Sequence, residues 1–174
     1  KIVVKPEPSE EAKREGRQKL DGVLADIRAG KTTFEEAAKK HSVDGSGREG
    51  GYLGEISRTS VVPAFANAVY NLKEGQISNV FESQFGFHIA LLHKRMGERL
   101  AVSHILMRAP ISADDEAKAK KKLVAIRNKI EAGEVTFAKA AAEYSDDEAT
   151  KDIGGMVSDA QSGSYRIPLD QLDV

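Results

Sequence analysis

FEEAAKKHSVDGSGREGGYLGEIS, residues 34–57, reads as a helix end, an Asp-bearing loop, a Gly-Gly hinge and an extended exit. Most of it returns as FAKAAAEYSDDEATKDIGGMVSD, residues 137–159. Set against residues 104–147 at a constant offset of 103, residues 1–44 show thirteen identities without a gap, among them Gly30/Gly133, Thr33/Thr136, Phe34/Phe137, Ala37/Ala140, Ser42/Ser145 and Asp44/Asp147. One residue inserted between the Asp and the Gly-Gly moves the offset to 104, a change that a surface loop tolerates and a core element does not. The chain is an internal duplication, and so long a period means tandem domains rather than a solenoid of short repeats.

Composition narrows the function classes. At 174 residues, 40% hydrophobic and 30% charged, the chain has the apolar content of one or two small globular domains. A net charge of -1 argues against a nucleic-acid-binding surface. With no Cys, disulfides and thiolate chemistry are excluded. No apolar run approaches the ~18 residues of a membrane span, and the start lacks a charged-then-apolar leader. The second copy stops before any counterpart of residues 65–95. The expectation is therefore a piece of a longer polypeptide, with any targeting signal outside it.

Taken in order, KIVVK at residues 1–5 is a β-branched run closed by Pro6 and Pro8. Ser9 predicts an N-cap, and Leu20, Val23, Leu24 and Ile27 give a helix that Gly30 stops. Thr33 with Glu36 forms a capping box for a shorter helix ending near His41. Tyr52 to Ile56 reads as a strand, and Pro63 as the first residue of a helix carrying Phe65, Ala68, Val69 and Leu72. QISNVFESQFGFHIALLHKR, residues 76–95, reads as two strands around a turn. Phe85, Phe87, Ile89 and Leu91 fall on one face and His88, Ala90 and Leu92 on the other. Both faces of the last strand are apolar, so it is expected to be central and covered on both sides. The expected fold class is α+β: an antiparallel four-stranded sheet flanked by helices, followed by a partial second copy. The expected division is 1–95 for the first domain, 96–101 for a linker and 102–174 for an incomplete second domain, whose helix is opened by a Ser112–Asp115 capping box.

Several motifs have plainer readings. Gly45-Ser-Gly47-Arg-Glu-Gly50 fits G-x-G-x-x-G, yet a dinucleotide fingerprint needs a strand before it and a helix after it. Here a helix precedes and an extended segment follows. None of the four histidines forms a pair at metal-ligand spacing, so no metal site is expected. Residues 118–122, rich in Lys, read as a solvated helix face. His88, flanked on its strand by Gly86 and Ala90, is by itself a sheet histidine with a hydrogen-bond partner.

Taken together, HSVD closing a helix, GGYLGEIS, the VVPAF helix start, the NLKEGQIS turn and the SQFGFHI strand resemble the parvulin family of peptidyl-prolyl cis/trans isomerases. SHILMRA resembles the family's first strand, and the tandem arrangement resembles that of the periplasmic SurA-like chaperone isomerases. The resemblance covers residues 1–95 nearly throughout and 102–155 in part. It implies an isomerase that helps exported or outer-membrane proteins to fold, with unfolded or extended proline-containing polypeptides as partners, no cofactor and a periplasmic or otherwise exported location. By position it implies Asp44, His88 and Ser83 as catalytic residues and Leu53, Val61, Phe65 and Phe85 as substrate-binding residues. Val61 stands where the family usually carries Met or Leu, which shortens that wall.

One departure matters. The family's first strand usually carries a histidine that pairs with the last-strand histidine, and in the first copy Lys1 holds that position. A cationic ammonium cannot accept a hydrogen bond. The second copy has His104 there and Asp147 at the acidic position, but no residues to complete a pocket, and its exit GGMVSDAQSGSYRIPLDQLDV departs from the family pattern. His104 and Asp147 are therefore expected to be inactive counterparts. A sheet missing its last strands exposes edges, so self-association through the second domain is also expected. The alternative to catalysis is a chaperone module that binds extended segments without isomerising them.

Overall fold

The structure is a computed structural model, and it describes residues 1–158. Two helices open it: α1 (Glu10–Arg28), whose N-cap Ser9 accepts from the Ala12 N–H, and α2 (Phe34–His41), whose Thr33–Glu36 capping box closes in both directions. A 3-10 turn (Gly45–Glu49) leads to β1 (Tyr52–Ile56), and α3 (Pro63–Tyr70) begins on Pro63 as the sequence predicts. Three strands follow: β2 (Phe81–Ser83), β3 (Gly86–Met96) and β4 (Arg99–Met107). They form one antiparallel sheet with β1, in the order β1-β4-β3-β2. The second copy then gives α4 (Ala113–Glu131), α5 (Phe137–Tyr144) and another 3-10 turn (Lys151–Ile153).

β3 is central and covered on both faces, as its double apolar pattern requires. Phe87 and Ile89 pack with Leu20, Val23, Leu24, Phe34 and Ala37 of α1 and α2. Ala90 and Leu92 pack with Phe65, Val69 and Leu72 from α3 and its exit. Each large side chain of this kind holds the fold by ~2–5 kcal/mol against truncation to Ala. Phe85 does not share the Phe87 face. It lies in the turn before β3, where Gly86 at φ 131° breaks the strand alternation.

The main departure from expectation concerns which strand fills the place between β1 and β3. Residues 96–101, expected as a linker, are strand and hairpin, and SHILMR continues as β4 in the sheet of the first copy. The chain accordingly divides into one compact unit at Pro8–Pro110 and another made of Lys1–Glu7 with the residues from Ile111 onward. The boundaries expected at 95 and 102 separate the sequence repeats, whereas the strand pairing crosses them, and residues 159–174 of the expected second domain and its exit lie outside the described residues.

Local chain physics explains the choice. Met96-Gly97-Glu98-Arg99 is a two-residue hairpin with Gly97 at φ 61° and no positive φ at Glu98, which fits a type II′ turn. Closing so short a loop costs little chain entropy, whereas bringing residues 1–5 to the same place closes a loop of most of the unit. The ladder runs from Met96↔Arg99 to Phe87↔Met107, and Lys1–Lys5, read from sequence as a strand, carries no sheet ladder.

The two units repeat the same contacts with the first-strand segments exchanged. In Pro8–Pro110 the Leu106 N–H donates to Ser42 Oγ (3.1 Å), the Val43 N–H to the Leu106 carbonyl (2.9 Å) and the His104 N–H to the Gly51 carbonyl (2.8 Å). In the other unit the Val3 N–H donates to Ser145 Oγ (3.1 Å), the Asp146 N–H to the Val3 carbonyl (2.8 Å) and the Lys1 amine to the Gly155 carbonyl. Leu106 and Val3 are repeat-equivalent, as are His104 and Lys1.

Gly51 is the tightest point of this strapping. It sits at φ 79°, and a Cβ there would stand 2.1 Å from the His104 carbonyl oxygen. Gly51→Ala is expected to destabilise the chain by about 1–3 kcal/mol, because it adds a left-handed non-glycine residue and pushes β4 away. Urea unfolding checks this, and an unchanged midpoint would mean that β4 is not held at Gly51.

Candidate active site

Asp44 caps the 3-10 turn after α2. Its carboxylate accepts from the Ser46 N–H (3.0 Å) and the Ser46 hydroxyl (2.5 Å). The bonds of Ser42 and Val43 to Leu106, and of Gly51 to His104, fasten both ends of this loop to β4. Asp44 therefore faces His104, with Oδ2 3.1 Å from Nε2. The contact lacks the alignment of a hydrogen bond and is a close polar contact, ionic only when His104 is protonated.

β3 supplies His88, almost wholly buried. Its Nε2 lies 2.7 Å from Ser83 Oγ, and the Phe85 N–H donates to the same hydroxyl (3.1 Å). In the ladders His88 opposes Leu106 on β4 and Phe81 on β2, while His104 opposes Ala90, one step along the same face. The imidazoles of His88 and His104 consequently stack, with centroids 5.7 Å apart and planes 24° apart. Phe65 of α3 presents its ring edge-on to His88, His104 and Phe81, and Phe81 stacks on His88 at 5.2 Å. The Nδ1 atoms of both histidines are buried without a hydrogen-bond partner among the described residues.

These groups open onto a cavity of about 570 Å³ lined by Asp44, Leu53, Val61, Phe65, Phe85 and His88, with His104, Leu106, Arg108 and residues 59, 60 and 62 completing the wall. Leu53 sits in the bulge where β1 breaks register between Tyr52 and Gly54, the kind of irregularity that re-aims a side chain. The residues expected at the site from sequence thus share one cup, with Ser83 behind His88. Asp147 is elsewhere: it takes Lys1 Nζ at 3.1 Å, the same distance that separates Asp44 from His104. The expected grouping of His104 with Asp147, and of Lys1 with the first site, is reversed by the strand exchange.

Sequence reading did not place His104, Phe81, Leu106 or Arg108 at this cup. The alternation of His104, Leu106 and Arg108 with Ile105 and Met107 was visible, as was the turn that sets Phe81 across from His88. What was missing was the sheet to which the 104–108 segment belongs. No group of three or more His, Asp or Glu side chains among the described residues is arranged to hold a metal ion.

The surroundings shift Asp44 and His88 for different reasons. The Ser46 hydroxyl, followed by the contact with His104 and the Ser46 N–H, outweighs partial burial and holds Asp44 down at about 2, so it is a carboxylate near neutral pH. Burial, reinforced by His104 and opposed by Asp44, pushes His88 down to about 4, so its imidazole is neutral there.

The α+β topology, with this cup on one face of the sheet, is that of the PPIC-type rotamase domain, the parvulin class. Comparison with known proteins agrees. The family described as "Rotamase: PPIC-type PPIASE domain" matches residues 2–94 and again 104–172, and the chain belongs to that family. It is similar to chaperone SurA of Alkalilimnicola ehrlichii, 34% identical over 170 residues that make up 93% of this chain and 39% of that protein. It is also similar to chaperone SurA of Methylococcus capsulatus, 31% identical over 98% of this chain and 38% of that protein. A shorter likeness is to chaperone SurA of Salmonella choleraesuis, 44% identical over 89 residues that make up 51% of this chain and 21% of that protein. The chain thus spans well under half the length of these relatives.

The histidine shift has a stability signature. His88 is ordinarily half-protonated at 6.5 and is held to about 4 here, so between these values the unfolded chain binds the extra proton. Its contribution is fully present above pH 6.5 and declines as pH falls toward 4. Asp44, lowered from 3.8 to about 2, adds a loss only below about pH 4. Urea midpoints measured from pH 7 to pH 4 are expected to fall, and His88→Gln to flatten that limb. An equally steep limb in the variant would assign the loss to other groups.

Proposed function

We propose that the Pro8–Pro110 unit catalyses cis/trans isomerisation of X-Pro bonds in extended segments of unfolded, exported polypeptides in the periplasm. The observation that carries this reading is the convergence of Asp44, His88, His104 and Phe65 on one apolar cup, with His104 in the place where the repeat arithmetic puts Lys1. The site needs no nucleophile, because the reaction breaks no σ-bond. The barrier of about 18–20 kcal/mol is amide resonance, and it falls when the surroundings favour the twisted amide over the planar one.

Each part of the cup has a role in that preference. Leu53, Val61 and Phe65 enclose the proline ring and exclude water, removing the hydration that stabilises the polar planar amide. Twisting localises the lone pair on the imide nitrogen, and a neutral imidazole or hydroxyl can donate to it without transferring a proton. His88, His104 and Ser83 are the groups within the dry part of the site that can do so. Asp44, ionised and braced by Ser46, orients His104 and opposes charge build-up on the carbonyl side. Phe85, half exposed at the rim, covers the bound segment.

A second reading, binding of extended segments without catalysis, has Val61 in its favour, since the short wall weakens the grip on the ring. Self-association through the second repeat belongs to the same proposal. Leu123 and Phe137 are 40% and 47% exposed, whereas their repeat equivalents Leu20 and Phe34 are 0% and 7% exposed.

Exchange NMR on a short X-Pro peptide decides between the first two. Catalytic amounts of the chain are expected to accelerate interconversion, with Asp44→Ala lowering the gain by about 10- to 100-fold. Val61→Met is expected to tighten peptide binding about fourfold by burying roughly one more methylene. Peptide binding with no acceleration would move the protein to the non-catalytic reading, and sedimentation that does not vary with concentration would remove self-association.

A further inference from the structure

We infer that Arg58 is a positioning residue for the proline wall of the cup, acting through Tyr70 to latch the turn that carries Val61. The inference rests on the proposal that the cup binds X-Pro segments.

The turn between β1 and α3 supplies Thr59, Ser60, Val61 and Val62 to the lining of the cup. It is closed on itself. The Ser57 N–H donates to Ser60 Oγ (2.9 Å), and the Ser60 hydroxyl and N–H both donate to the Ser57 carbonyl (2.9 and 3.2 Å). Residues 57–60 make no hydrogen bond to any other element among the described residues. Such a turn keeps its own shape but can swing on its two ends, Ile56 in the ladder with β4 and Pro63 at the start of α3.

Arg58 supplies the tie. Its guanidinium carbon lies 4.9 Å from the centre of the ring of Tyr70, the last residue of α3. That guanidinium makes no hydrogen bond or ion pair among the described residues, and Arg58 is not one of the residues that line the cup, so the ring is what its charge meets. Tyr70 is a fixed post. Its hydroxyl donates to the Glu98 carbonyl (2.7 Å) in the β3–β4 hairpin, and its own carbonyl accepts from Arg95 Nη2 (2.9 Å). It packs against the cluster that holds Phe65, Val69 and Leu72, and Val61 and Val62 pack against the same cluster. The hairpin that aligns β4 thus fixes the post, and the post holds the turn that sets the Val61 wall.

An exposed cation–π contact shifts a closed-to-open equilibrium about two- to fivefold. This favours the closed wall yet lets it open for an extended chain. The proline ring keeps its form while the amide twists, so a looser wall weakens ground state and transition state alike. The effect of the latch is therefore expected in KM and not in kcat.

The test uses the whole chain and a capped, uncharged peptide, acetyl-Ala-Ala-Pro-Phe-amide, followed by exchange NMR, so that the peptide carries no charge for Arg58 to attract. Turnover by the unaltered chain tests the isomerase reading separately. Arg58→Ala is expected to raise KM about two- to fivefold with kcat unchanged. Tyr70→Phe, which keeps the ring, is expected to leave KM close to that of the unaltered chain, and Tyr70→Leu to raise it as Arg58→Ala does. The double variant Arg58→Ala/Tyr70→Leu is expected to be no worse than either single one, because the two side chains act as one unit. If the peptide binds without turnover, the same comparison is made with dissociation constants. If it does not bind, the cup reading falls, and the latch is read from the Val61 methyl signals, which Arg58→Ala and Tyr70→Leu are expected to move in the same direction. A KM or dissociation constant that Arg58→Ala leaves unchanged, effects that add in the double variant, or Val61 signals indifferent to Arg58→Ala overturn the inference and make Arg58 a solvated arginine on a turn.

Discussion

Everything at the cup depends on the pairing of β4 with β3. The ladder sets His104 one step from His88 on the same face, fixes Leu106 across from His88 and turns Arg108 toward the mouth. It also offers the backbone groups of His104 and Leu106 to the Asp44 loop, so the carboxylate is placed by the same strand that supplies its histidine. A slip of one residue would send His104 and Leu106 into the α1–α2 core and bring Ile105 and Met107 to the cup. The short hairpin at Gly97 and the long ladder make that slip costly, which gives the site its precision.

The parts of the site that were legible in sequence are those that short-range rules fix. Asp44 ends a capped helix and opens a loop, Pro63 starts the helix that carries Phe65, and His88 lies on a strand whose two faces are both apolar. Each statement needs only a dozen neighbouring residues. His104 was legible as a chemical group but not as a member of this site, because repeat logic assigns a first strand to the helices that follow it. The hairpin overrides that logic, since the preceding strand is closer along the chain than any competitor. Phe85 failed for a smaller reason of the same kind: strict alternation was carried through a turn in which Gly86 reverses the backbone.

The duplication makes the chemistry of the exchange visible, because the chain contains the same carboxylate contact twice. Asp44 faces an imidazole and Asp147 an ammonium, at the same distance and through equivalent backbone straps. The Thr150 hydroxyl, with Lys1 adding to it, holds Asp147 below its ordinary value, as Ser46 does for Asp44. The difference lies in what the partner can do next. Lys1 is half exposed, carries donors only and forms a surface ion pair of little energetic weight. His104 is buried against Phe65 and His88, and an imidazole can donate or accept.

Burial is what turns that difference into function. A neutral His88 is far cheaper to bury than a protonated one, whose charge would sit in an apolar layer made by Phe65, Phe81 and Leu106. On the proposed reading, the same layer that keeps the imidazole uncharged keeps water from the bound amide, so the pressure that lowers His88 and the pressure that destabilises a planar, solvated X-Pro bond have one physical source. The loop carboxylate can be held at the edge of this layer because the hydroxyl and the amide of Ser46 both donate to it. The cup therefore places its fixed charges, Asp44 and Arg108, at its borders and keeps its centre dry, an arrangement suited to a reaction that moves no charge between molecules and needs only a changed environment for one bond.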